Sequence, residues 1–178
     1  MKNTVAYQYP QQLRAIWHKG VDHYRAGNKE KATWYTEEEV SFLASIGISV
    51  QEMFDYAEDY VQHGDPDFIQ AALVIDVRRA YFLNKQEGSP SSHTISMSSL
   101  PSKEASVEGI EWLPRILPKA RAKLHGEMPE DLMYGCGGDR KFFKKHDIQP
   151  AEFLRIVAEY EHDDEAIIDW VKRRSADS

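Results

Sequence analysis

Shifted by 100 positions, the first half of this 178-residue chain falls on the second. Leu13, Ile16 and Lys19 land on Leu113, Ile116 and Lys119. Phe42 lands on Phe142, Ile48 on Ile148, Glu52 on Glu152 and Tyr60 on Tyr160. Similar residues fill in between: Trp34 with Tyr134, Met53 with Phe153, Phe54 with Leu154 and Phe68 with Ile168. Helix-start signals keep the same offset. "SVQE" at Ser49 to Glu52 is a capping box, in which each side chain satisfies an orphan backbone N–H, and "QPAE" stands at the matching place. The pattern predicts an all-α fold of two related multi-helix units, roughly seven to nine helices in all, packed through related faces.

The apolar periodicity agrees. Leu113, Ile116, Leu117, Ala120 and Leu124 share one helical face, with Arg115, Arg121 and Lys123 tending toward the other, and Gly126 ends the helix. Phe153, Ile156, Val157 and Tyr160 form a further stripe that Pro150 starts at the first helical position. A last helix follows "HDDE", whose acids suit a helix N-terminus. It carries Ile167, Ile168, Trp170 and Val171 and closes on "KRR", where positive charge is favoured.

Between the halves lies "QEGSPSSHTISMSSLPSKEASVEG", residues 86–109, rich in serine and without apolar period. It reads as a linker or long surface loop. The expected organisation is a helical unit over 1–85, this segment, and a second helical unit over 110–178.

The one cysteine excludes an internal disulfide framework and a multi-cysteine zinc site. No apolar run approaches the roughly 18 residues of a membrane span, and the first residues lack the pattern of a signal peptide. These point to a cytoplasmic protein. A net charge of −7 argues against a general nucleic-acid binder. "VSFLASIGISVQEMFDYAEDYV" could form a helix-turn-helix, but its second helix would carry Glu52, Asp55, Glu58 and Asp59 with no Lys or Arg, and phosphates would repel it. The seven histidines are scattered, and "HDDE" is explained by capping, so no metal or other cofactor is expected.

The chemistry concentrates in "YGCGGDRKFF". At the offset of 100, "CGGD" (Cys136 to Asp139) matches "TEEE" (Thr36 to Glu39), a capping box. One helix start is filled with glutamates; the other has a thiol at the N-cap and two glycines that leave backbone N–H groups open. A helix N-terminus favours a thiolate and anions. Arg140 lies beside it, within a basic stretch: Leu113 to Lys145 holds eight Lys or Arg against four acids. A nucleophilic thiol also wants a base, and His125 and His146 are the nearest histidines in sequence. The spacing does not fit a phosphate-binding loop. The blander reading is a small half-buried cap residue on a solvated helix, with Asp139 capping and Arg140 paired to an acid. The tryptophans, with Tyr56 and Tyr60, read as core.

The second half also resembles a known bacterial family. The matching elements are Leu113-Pro114-Arg115, "KARAKL" followed by a glycine, Tyr134-x-Cys136, and Asp139-Arg140 just before Phe142 and Phe143. A "PAEFL" helix start and a final Trp170-Val171 complete them. Over about residues 110–174 this resembles domain of unknown function 5069. Family members often carry Cys-Pro-Leu-Asp where this chain has Cys-Gly-Gly-Asp. The resemblance implies an all-helical fold and no established activity.

The leading expectation is a small-ligand protein that binds an anionic metabolite, and in one version transforms it. Tyr134, Gly137, Gly138, Asp139 and Arg140 would form the site, and Cys136 would be the nucleophile or a polar contact. The rival is a non-catalytic interaction module with a partner-binding helical face.

Overall fold

The structure is a computed structural model in which residues 5–176 are described. Eight α-helices make up most of it: α1 (Val5–Arg25), α2 (Glu37–Ser45), α3 (Val50–His63), α4 (Phe68–Asn84), α5 (Leu113–His125), α6 (Gly137–Lys145), α7 (Pro150–Glu159) and α8 (Asp164–Ala176). A two-stranded antiparallel hairpin, β1 (Ser106–Val107) and β2 (Ile110–Glu111), departs from an all-α fold; it pairs Ser106 with Glu111 and Val107 with Ile110. Among the described residues no helix is long and apolar enough to cross a membrane.

The chain divides into two compact units, the first ending at Arg79 and the second beginning at Ala80. The division falls inside α4, not at the edges of the Ser-rich segment, so the expected linker or long surface loop lies within the second unit. Its backbone and side chains are tied down. Ile95 N–H donates to Glu127 O, Ser91 Oγ to Glu127 Oε1 (2.7 Å), Arg115 Nη1 to Pro101 O (2.6 Å) and Gln86 Nε2 to His125 O (2.9 Å). Composition gave no sign of this, because the partners lie far along the chain.

In the first unit α1 packs on α3. Leu13, Ile16, Trp17 and Val21 are buried on α1, and Met53, Tyr56 and Ala57 on α3. The rings of Trp17 and Tyr60 lie 4.7 Å apart, and Tyr24 donates its hydroxyl to Glu58 Oε1 (2.6 Å). Both predicted capping boxes form. Thr36 Oγ1 accepts from Glu39 N–H while Glu39 Oε2 accepts from Thr36 N–H, and Ser49 and Glu52 repeat the exchange. Such a cap contributes about 1 kcal/mol.

In the second unit α5 packs on α7. Gly126 caps α5 in the left-handed conformation (φ 72°), as the sequence predicts, and Pro150 opens α7. Two side-chain placements differ from expectation, and one is Tyr160 at the end of α7, which is exposed rather than part of a buried stripe. The other is Lys123, which is not on the solvent side: it is buried along with Lys119. Helix α5 is buried nearly all round, so a two-faced reading of its periodicity places Lys123 wrongly. Burial lowers the Lys123 pKa to about 7.

Asp55 on α3 is titrated by its surroundings. Burial raises its pKa to about 7, opposed by the hydrogen bond from Gln51 Nε2 (2.6 Å) and reinforced by Glu58 and Asp59. The folded form keeps a proton that the unfolded chain releases above its ordinary value of 3.8. Stability from this group is therefore present at acid pH and lost as pH rises through about 7. Asp55→Asn is expected to flatten that part of the stability–pH curve and to gain about 1–3 kcal/mol at pH 8, after discount for solvent screening. Denaturant melts of both proteins from pH 5 to 8 check this.

Candidate functional site

Cys136 is the N-cap residue of α6, with extended backbone (φ −60°, ψ 171°), and its side chain makes no capping hydrogen bond. Its sulfur faces α5 instead: Lys119 Nζ lies 3.3 Å from Sγ. The same ammonium is 2.5 Å from Asp139 Oδ2. The two side chains of this ion pair are 1% and 0% exposed. The carboxylate is fully engaged. Asp139 Oδ2 also accepts from Gly135 N–H (2.9 Å), and Oδ1 accepts from Trp112 Nε1 (2.8 Å).

The local chain is shaped for this. Trp112 holds a left-handed backbone (φ 70°), uncommon for a bulky residue, just before α5. Its N–H is held by Ala105 O and its ring lies against Gly138, where a Cβ would collide with the indole. Gly138 is thus required by close approach. Gly137 is different: among the described residues a Cβ would meet only Arg140 Nη2, at 3.9 Å. Gly135 (φ 87°) turns the loop, and Arg140 Nη1 closes it by donating to Gly135 O (2.8 Å). Tyr134 is buried, with its hydroxyl donating to Pro150 O (2.8 Å).

Of the residues singled out from sequence, Cys136, Asp139 and Arg140 meet around one loop, with Gly137 and Gly138 opening α6. Asp139 and Tyr134 act from inside, as supports of the loop. The two histidines are engaged elsewhere. His125 Nε2 is 2.6 Å from Glu161 Oε1, which also accepts from Tyr81, and His146 Nδ1 is 2.6 Å from Ser175 Oγ. Burial pushes the Glu161 carboxyl up, but the hydrogen bonds from Tyr81 and His125 outweigh it and hold it below its ordinary value. Among the described residues no group of three or more His, Cys, Asp or Glu side chains is disposed to hold a metal ion.

Two participants went unassigned in the sequence reading. Lys119 carried a signal, because a lysine stands at both 19 and 119 with an acid at both 39 and 139. Trp112 carried none; its role depends on a hydrogen bond across 27 positions.

The comparison with known families reaches back far enough to include the indole. Residues 98–178 match the family DUF5069, a domain of unknown function. The match begins before the hairpin, so the DUF5069 domain takes in the end of the Ser-rich segment, Trp112 and α5 through α8. No curated protein and no solved structure matches the chain.

The buried pair and its glycine make two predictions. Asp139→Ala strands a buried ammonium and is expected to cost about 3–5 kcal/mol. Glu39→Gln, at the partly exposed Lys19–Glu39 pair of the first unit, costs at most about 1 kcal/mol. Gly138→Ala should cost about 1–3 kcal/mol through overpacking on Trp112, whereas Gly137→Ala stays within about 0.5 kcal/mol. Chemical denaturation of the four variants tests both contrasts; equal losses within either pair would contradict this account.

Proposed function

We propose that the DUF5069 domain binds a small anionic metabolite at the start of α6 and acts on it through Cys136. The observation that carries the reading is the chain of contacts from Sγ to the Lys119 ammonium to the Asp139 carboxylate. A nucleophile, a charged group within hydrogen-bond reach and a third residue that orients it are the arrangement an activated side chain needs. Lys119 Nζ would donate to the sulfur, and Asp139 would hold Lys119 in place. Gly137 and Gly138 open α6, and their N–H groups fall among the first donors of a helix, which have no acceptor within it. Such donors, with Arg140, suit a carboxylate or phosphate. In this reading Tyr134 and Asp139 shape the loop rather than touch the ligand.

The anionic preference is tested by alkylation. Iodoacetate and iodoacetamide deliver the same group with and without a negative charge. Cys136 should favour iodoacetate over iodoacetamide by on the order of tenfold relative to a free small thiol. Arg140→Ala should remove most of that preference. A Cys136 inert to both reagents in the folded chain would sink the nucleophile, and a preference unchanged in Arg140→Ala would sink the anion site.

We also infer that the first unit is a diverged copy of the same plan, which bears on where the chemistry resides. Several positions support it. Helices α2 and α6 span 37–45 and 137–145, and α3 and α7 begin at 50 and 150. The packed helix pairs are α1 with α3 and α5 with α7. Lys19 Nζ is 2.6 Å from Glu39 Oε2, as Lys119 Nζ is 2.5 Å from Asp139 Oδ2. In the first copy Thr36 caps its helix and no thiol is present, so the proposed chemistry belongs to the second copy alone. In an experimental structure, superposing residues 36–57 on 136–157 should bring Lys19 and Lys119 to the same side of α2 and α6. Lysines on different sides would refute the duplication.

A further inference from the structure

Helix α6 carries the proposed site at its start and a second, unrelated feature at its end. His146, its C-cap, is only 7% exposed and touches α8. Its Nδ1 lies 2.6 Å from Ser175 Oγ. Ser175 in turn donates its hydroxyl to Val171 O (2.8 Å), which uses its one proton. The proton between the two side chains therefore sits on Nδ1, and Nδ1–H donates to Ser175. Nε2 is left as a bare acceptor, buried and without a hydrogen-bond partner among the described residues. The Phe142 ring, 4.7 Å away, forms part of its surroundings.

We propose that His146 is a proton-sensitive pin for α8, holding the last turn of that helix while neutral and releasing it when Nε2 takes up a proton. A proton on Nε2 creates a buried N–H and a buried charge with no acceptor, and an unmade buried bond is costly. The charged groups around it do not relieve this. Lys145, beside it on the chain, opposes protonation after burial itself, and both hold the imidazole below its ordinary range. The backbone carbonyl of Asp147, next in sequence, accepts from Arg174 of α8, and among the described residues Lys145 is the one charged group that acts on the ring. The Glu152 carboxylate from α7 is shared between Arg174 and the Gln149 N–H. Because the folded state prefers the neutral ring, protons bind the loosened form better, and release grows as pH falls. The matching position in the first unit is Ile46, buried and apolar, so that unit has no such pin.

Amide hydrogen exchange of the full chain tests it, at about pH 7 and about pH 5 with intrinsic rates corrected. Wild type should lose about tenfold in α8 protection relative to α7 between these conditions. In His146→Ile the difference between the two pH values should vanish. The His146 ring titration, followed by NMR in the same samples, should share its midpoint with the loosening. Unchanged wild-type α8 protection, or a loosening that persists in His146→Ile, overturns the proposal. If the variant does not fold, unmatched midpoints in wild type overturn it equally.

Discussion

The second unit depends on one buried ion pair. Asp139 receives donors from three places: Trp112 ahead of α5, Lys119 within α5, and Gly135 in the loop before α6. Taking a carboxylate and an ammonium out of water costs several kcal/mol each, and only good geometry with further hydrogen bonds repays it. The pair is thus a poor source of stability by itself but a strong source of position. It fixes α6 against α5 in one register, and the place of the Cys136 sulfur follows from that. The thiol did not have to be aimed; it sits at the N-cap, and the N-cap sits where Asp139 holds it.

The same residue types do different work in the first unit. Lys19 and Glu39 are as close as Lys119 and Asp139, but their side chains are 37% and 28% exposed. In that wetter setting Coulomb attraction is weak and removal of a partner leaves a solvated ion. Glu39 spends one oxygen on Thr36 N–H as part of a capping box, so its role is largely local. Asp139 is one methylene shorter and reaches back to Gly135 instead. Burial, more than identity, separates a surface pair from a structural hub.

Helix starts and stops were legible in the sequence because they are local chemistry. Thr36, Ser49, Pro150 and Gly126 each act within a few residues, and each stands where its spelling placed it. Cys136 as an N-cap came from alignment to Thr36 and was found there. What stayed hidden was long-range. Lys123 looked like a surface residue because helical periodicity assumes one buried face, and α5 has more than one. The Ser-rich segment reads equally as a linker or a long surface loop, because its ties to Glu127, His125 and Arg115 leave no trace in composition. Likewise, nothing in a scatter of histidines tells that His125 is held by Glu161 and His146 by Ser175.

The close approach of Trp112 to Gly138 ties two positions into a single heritable choice. An indole at 112 fills the space that a side chain at 138 would need. A relative of this domain with a larger residue at the position of 138 would have to carry something smaller at 112 or move the segment before α5. The two substitutions could not be fixed in either order without a poorly packed intermediate. Across the family, positions 112 and 138 should therefore covary in size, a record that neither the cysteine nor the charged pair beside it would leave.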